Sequence, residues 1–153
     1  MAQYARRVGL PPRVLGPGLR EVAFLVPPQG RAPVGLFMMA DIAAAREFNY
    51  LELDGEYDLF GDGTVQILST PGHTIGHQSL KVKLPQTGSV IISQDAIWMQ
   101  ENADGYVAGL NFSVQAWSNS ANRLKFMRDL EGAKLFFPHD GGQFEKNGRK
   151  WMK

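Results

Sequence analysis

Three short apolar runs in this chain are each followed closely by a side chain able to bind a metal ion. Residues 64–69 (TVQILS) lead to His73, residues 89–93 (SVIIS) to Asp95, and residues 134–137 (KLFF) to His139. Runs this short, rich in Val, Ile, Leu and Phe and bounded by turn formers, suit buried β-strands. Loops at strand ends gather side chains from distant parts of a sequence. Three donors after three strands therefore point to one site where the strand ends converge.

The chain has 153 residues and no cysteine. That length supports one domain with a real core and makes two ordinary domains unlikely to fit. Without thiols there are no disulfides, and any metal site must draw on His, Asp and Glu. A His/Asp set suits Zn²⁺, Fe²⁺ or Mn²⁺ in a catalytic rather than a closed structural site. The cysteine-free composition fits a reducing compartment, and a cytoplasmic location is expected. Hydrophobic residues at 44% and charged residues at 20% are ordinary for a globular domain. A net charge of +1 gives no bulk attraction to nucleic acid or membrane. No apolar run is long enough to span a bilayer, and the N-terminus lacks the apolar stretch of a signal peptide.

The composition is uneven. Residues 1–50 hold six Arg, no Lys and six of the nine Pro, whereas residues 51–153 hold all seven Lys and three Arg. Pro crowds the candidate strands EVAFLV and APVGLFMM, and DIAAAREF, opening at Asp41, is a candidate short helix. From Tyr50 the pattern sharpens into strand, turn, short segment, turn and the strand 64–69. HQSLKVKL then alternates like a half-buried strand, and PQTG turns the chain. After a loop over 96–112, residues 114–130 form an amphipathic helix capped by Ser113 and stopped by Gly132. Val114, Trp117, Ala121, Leu124 and Met127 mark its inner face. QFEKNGRKWMK allows a helical turn, and its basic end reads as a solvated tail rather than a nucleic-acid element.

In STPGHTIGHQSL, Pro71 and Gly72 turn the chain sharply, so that the His73 imidazole can point back over the strand end. TPGHTIGHQSL, then SQDA, then FPHD resembles the second half of the metallo-β-lactamase superfamily, in its N-acyl-homoserine lactonase (quorum-quenching) branch. YLELDGEYDLFGDGTVQILSTPGHTIGHQSL is similar to that branch along its length, and the likeness runs from about Tyr50 to about Asp140. The resemblance implies an α/β (layered α+β) fold, the αββα sandwich, present here as its second half. It implies a dinuclear metal site, usually zinc. His73 would bind the first metal, His139 the second, and Asp95 would bridge the two. His77 would support the turn rather than bind metal. The implied chemistry is lactone opening by hydroxide made available through metal coordination. In many of these lactonases a Tyr three residues after the bridging Asp contacts the substrate oxygen. Trp98 stands at that position here, and its indole can donate a hydrogen bond but offers no hydroxyl.

The family's leading HxHxDH motif is absent, for no His precedes His73. Weak zinc binding and little or no hydrolysis are therefore expected of the chain alone. Residues 1–49 read as a poorly defined segment, truncated or frame-shifted, ahead of a half-domain over 50–153. A half-fold would expose a sheet face and an edge that favour association between copies of the chain. The expected partner is a small-molecule lactone or ester. The competing functions are another esterase or thioesterase of the superfamily, and a remnant without catalysis.

Overall fold

The computed structural model describes residues 13–15, 49–51, 53 and 55–147. The chain divides between Asp54 and Gly55. In the first unit β1 (Arg13–Leu15) and β2 (Asn49–Leu51) pair in parallel, Val14 opposite Tyr50. The expected strands in EVAFLV and APVGLFMM, the helix from Asp41 and the basic end beyond residue 147 lie outside the described residues.

The second unit is built on one five-stranded sheet. Its strands are β3 (Tyr57–Asp58), β4 (Val65–Ser69), β5 (Gln78–Leu84), β6 (Gly88–Ile92) and β7 (Lys134–Phe136), in that spatial order. Successive pairs are antiparallel except β6–β7, which is parallel. Both β4 and β6 run opposite to β5, so β4, β6 and β7 share one direction. His73, Asp95 and His139 each follow one of these three strands, so all leave the sheet at the same end. The parallel pair requires a crossover, and the chain supplies it with α1 (Gln100–Ala103) and the long α2 (Val114–Glu131). α3 (Gly141–Asn147) follows β7.

Helix α2 forms where capping and periodicity agree. The Ser113 hydroxyl accepts from the Ala116 amide, and Gly132 ends the helix in the left-handed region at φ 62°. Its inner face buries Trp117, Ala121 and Leu124 against Leu68, Ile91 and Leu135 of the sheet. Full burial of Leu68, Ile91 and Leu124 contributes roughly 1.5–3 kcal/mol for each side chain. Val114 does not belong to that face: it is 52% exposed. Ser120 takes an inner place instead, donating to the Pro71 carbonyl at 2.7 Å. The expected loop 96–112 also holds the short α1, and Ala103 and Ala108 join the core.

Strand β5 alternates, but not simply as apolar inside and polar outside. Register places Ser79 opposite Leu68 on the face that α2 covers, and Leu80 and Val82 on the other. The fully buried residue of β5 is therefore a serine. Lys81, on the same face as Ser79, pairs with Glu131 at the end of α2. Among the described residues no helix is long and apolar enough to cross a membrane.

Candidate functional site

The Pro71–Gly72 turn is held at several points by α2 and the two residues that lead into it. Ser120 donates to Pro71 O, the Ser113 amide to Gly72 O at 3.0 Å, and the Phe112 amide to His73 O at 3.1 Å. Arg123 donates to Ser69 O at 3.0 Å, tying the end of β4 to the same helix. With its backbone fixed on both sides, His73 points over the strand ends. Its Nδ1 lies 2.6 Å from the Leu110 carbonyl. A carbonyl only accepts, so Nδ1 carries the hydrogen and the neutral ring keeps its lone pair on Nε2. Histidines that bind metals commonly donate their other ring N–H in this way.

Asp95 sits in a short 3₁₀ turn, Gln94–Ala96, just after β6. Gln94 has φ 51°, a left-handed conformation uncommon for a side-chain-bearing residue. Asp95 Oδ1 lies 2.9 Å from His139 Nε2, and Oδ2 lies 3.8 Å from His73 Nε2. The three residues singled out in the sequence are thus brought together, with one carboxylate oxygen toward each imidazole. The His139 amide donates to Trp98 O at 3.1 Å, which joins the end of β7 to the segment after Asp95. Trp98 packs against both rings, with centroids 5.9 Å from His73 and 5.5 Å from His139. Its indole N–H is buried and has no partner among the described residues.

His77 does not join this cluster as a fourth donor. Its Nε2 accepts the Asp95 amide at 3.0 Å, and its Nδ1 faces the Thr70 carbonyl at 2.9 Å and the Thr70 hydroxyl at 2.8 Å. Burial pushes its pKa below the usual 6.5, and the Thr70 carbonyl and the Asp95 carboxylate oppose that shift. Sequence reasoning missed the buried hydroxyls beneath it, Thr70, Ser79 and Ser93. Serine and threonine ordinarily read as surface residues, and only the register shows these to be inside.

The donor chemistry fits a divalent cation. Among the described residues no group of three His, Asp or Glu side chains closes on one point to hold a metal. Each position beside Asp95 has one imidazole and one carboxylate oxygen. The chain's three histidines are all accounted for, two at Asp95 Oδ1 and Oδ2 and one beneath its amide.

No family model matches the chain. An N-acyl homoserine lactonase from Bacillus thuringiensis is 38% identical over 92 residues, which is 60% of this chain and 36% of that protein. The N-acyl homoserine lactonase AttM of Azorhizobium caulinodans is 31% identical over 99 residues, 61% of this chain and 36% of its own length. Over about 60% of its length the chain is similar in sequence to these N-acyl homoserine lactonases. The chain spans only about a third of the length of these curated lactonases. The solved structure of an N-acyl homoserine lactone hydrolase, with N-hexanoyl-L-homoserine at its catalytic metal centre, superposes with TM-score 0.72 and 30% identity. That match covers 88% of this chain and 49% of the hydrolase. A probable metal-dependent hydrolase from Staphylococcus aureus shares the fold at TM-score 0.51 and 12% identity, covering 60% of this chain and 32% of its own. The chain therefore has part of the metallo-β-lactamase-like fold expected from the sequence.

Proposed function

We propose that His73, Asp95 and His139 are metal donors of a lactonase-type hydrolase centre, of which this chain holds an incomplete set. The observation that carries this reading is the Asp95 carboxylate, which faces a different histidine with each oxygen. A carboxylate so placed can be shared between two cations and offsets part of their mutual repulsion. A bound divalent cation, zinc in the first instance, would supply Lewis-acid polarisation of a carbonyl and a more acidic water. The chain's own residues supply the rest. The Leu110 carbonyl fixes the His73 ring with Nε2 toward Asp95. Trp98 walls the site between the two histidines, with its unpartnered N–H buried. The three donors all lie in the unit that begins at Gly55, within the half-domain expected over 50–153.

A second reading is favoured by the shortfall of donors. Catalytic zinc sites commonly use three protein ligands, and among the described residues neither position has them. On that reading the chain is a remnant that retains the scaffold without turnover.

The deciding experiment measures Zn²⁺ and Co²⁺ affinity of the purified chain by chelator competition. Alongside it, hydrolysis of N-hexanoyl-L-homoserine lactone, an aryl ester and a thioester is followed by pH-stat. Weak binding is expected, lost in His73→Ala, Asp95→Ala or His139→Ala and kept in the surface variant Lys83→Ala, with little or no turnover. Binding indifferent to the three substitutions would reject the donor assignment. Tight binding with lactone turnover would reject the impairment and the remnant together.

A further inference from the structure

We infer that His77 is a positioning residue for Asp95: its Nε2 accepts the Asp95 amide hydrogen and, backed by the hydroxyls of Thr70 and Ser79, fixes the turn that sets the carboxylate between His73 and His139. The inference rests on the reading of Asp95 as the shared metal donor.

The polarity of the network follows from its two ends. At one end the Ser79 hydroxyl lies 2.8 Å from the Ser93 carbonyl, which can only accept, so the single Ser79 hydrogen is committed there. The contact of 2.8 Å between Thr70 Oγ1 and Ser79 Oγ must then be a donation from Thr70. With its hydrogen spent, Thr70 Oγ1 can only accept from His77, and so can the Thr70 carbonyl. Nδ1 of His77 therefore carries the hydrogen. At the other end the Asp95 amide can only donate, so Nε2 must be bare. Both ends require the same neutral tautomer, and the order of hydrogens is consistent from Asp95 through His77, Thr70 and Ser79 to Ser93.

The network also explains where Asp95 is held. Gln94 takes a left-handed conformation between the end of β6 and Asp95, a position that costs energy unless its surroundings fix it. The Ser93 hydroxyl reaches Ile97 O at 2.6 Å and Phe136 O at 3.0 Å, which holds the turn from below and joins it to the strand leading to His139. His77 holds it from the side, through the amide of the residue whose carboxylate matters. Thr70, Ser79 and Ser93 are buried to 1%, 0% and 0% exposure, so water does not compete for these bonds. The mount thus links the ends of β4, β6 and β7, which carry the three donors.

The test uses the isotope-labelled full chain without metal, as wild type, His77→Leu and His77→Gln. The glutamine carbonyl can take the place of Nε2; leucine cannot. Long-range ¹⁵N–¹H correlations should show His77 as the Nδ1–H tautomer in the wild type. The Asp95 amide should exchange about tenfold faster in His77→Leu and return to near the wild-type rate in His77→Gln. The Leu68 and Ile91 amides serve as fold controls. Co²⁺ affinity should fall about tenfold or more in His77→Leu and recover in His77→Gln. An Nε2–H tautomer in the wild type overturns the inference, and that observation needs no variant to fold. So does a folded His77→Leu whose Asp95 amide and Co²⁺ affinity match the wild type, or a folded His77→Gln that fails as His77→Leu does. Absence of Co²⁺ binding in the wild type would count against Asp95 as a metal donor and leave the tautomer and amide results to decide the role of His77.

Discussion

Gly72 lies directly against the backbone of Trp117: a Cβ placed on it would come within 2.2 Å of the Trp117 amide nitrogen. Its φ of 144° is also one that side-chain-bearing residues rarely adopt. The turn that aims His73 is therefore possible only where a residue without a side chain meets the first turns of α2. Gly72→Ala is expected to cost about 2–4 kcal/mol through overpacking and backbone strain together. Urea denaturation would read that loss. The His73 ring resonances should shift with it, since relief of the clash moves the turn. A variant of wild-type stability would show that α2 can retreat at no cost.

The tightest part of the core gives a second expectation. Leu124 is fully buried among Leu68, Ile91 and Leu135. Leu124→Ala should lower stability by about 2–5 kcal/mol, the cost of lost burial plus the cavity left behind. A shifted urea midpoint at constant slope is the signature.

Trp98 should behave differently. Its indole N–H has no partner to lose, so Trp98→Phe keeps an aromatic wall while removing an unsatisfied donor together with part of the ring area. Stability should change by less than about 1 kcal/mol. A loss well beyond that would mean that the larger ring itself holds His73 and His139 in place.

The pH dependence of stability should carry the mark of His77. Burial holds its folded pKa below 6.5, so between the two values the unfolded chain binds a proton that the folded chain refuses. Stability therefore rises with pH in that window. The contribution is complete above about pH 6.5 and is lost as pH falls from there through the lower folded value. His77→Gln should remove this component, so its stability should differ less between about pH 7.5 and pH 5.5 than that of the wild type. Equal pH dependence in the two proteins would contradict the buried neutral imidazole.

The legible parts of the fold were those whose signals are local. Ser113 and Gly132 bracket α2 because capping is written within a few residues of each end. β4, β6 and β7 were legible as short apolar runs and β5 as an alternating one, whereas β3 lay in what reads only as a short segment; the strand-end residues His73, Asp95 and His139 could be singled out from their position alone. Val114 was misplaced because periodicity says which residues share a helix face, not which positions along that face are covered. The exchange of Ser79 for Leu80 on the core face, the bond from His77 to an amide 18 residues away, and the contact of Gly72 with Trp117 all depend on register between distant segments. No single window of sequence contains them.

The turn at 85–87 joins β5 to β6 at the end of the sheet opposite His73, Asp95 and His139. Strands of this length separate the two ends by roughly 20 Å. Pro85 and Gln86 are exposed there, so a dye, an affinity tag or a tether to a sensor surface can be attached without approaching the donor cluster. A tethered chain would then carry His73 and His139 at the end of the sheet away from the attachment point.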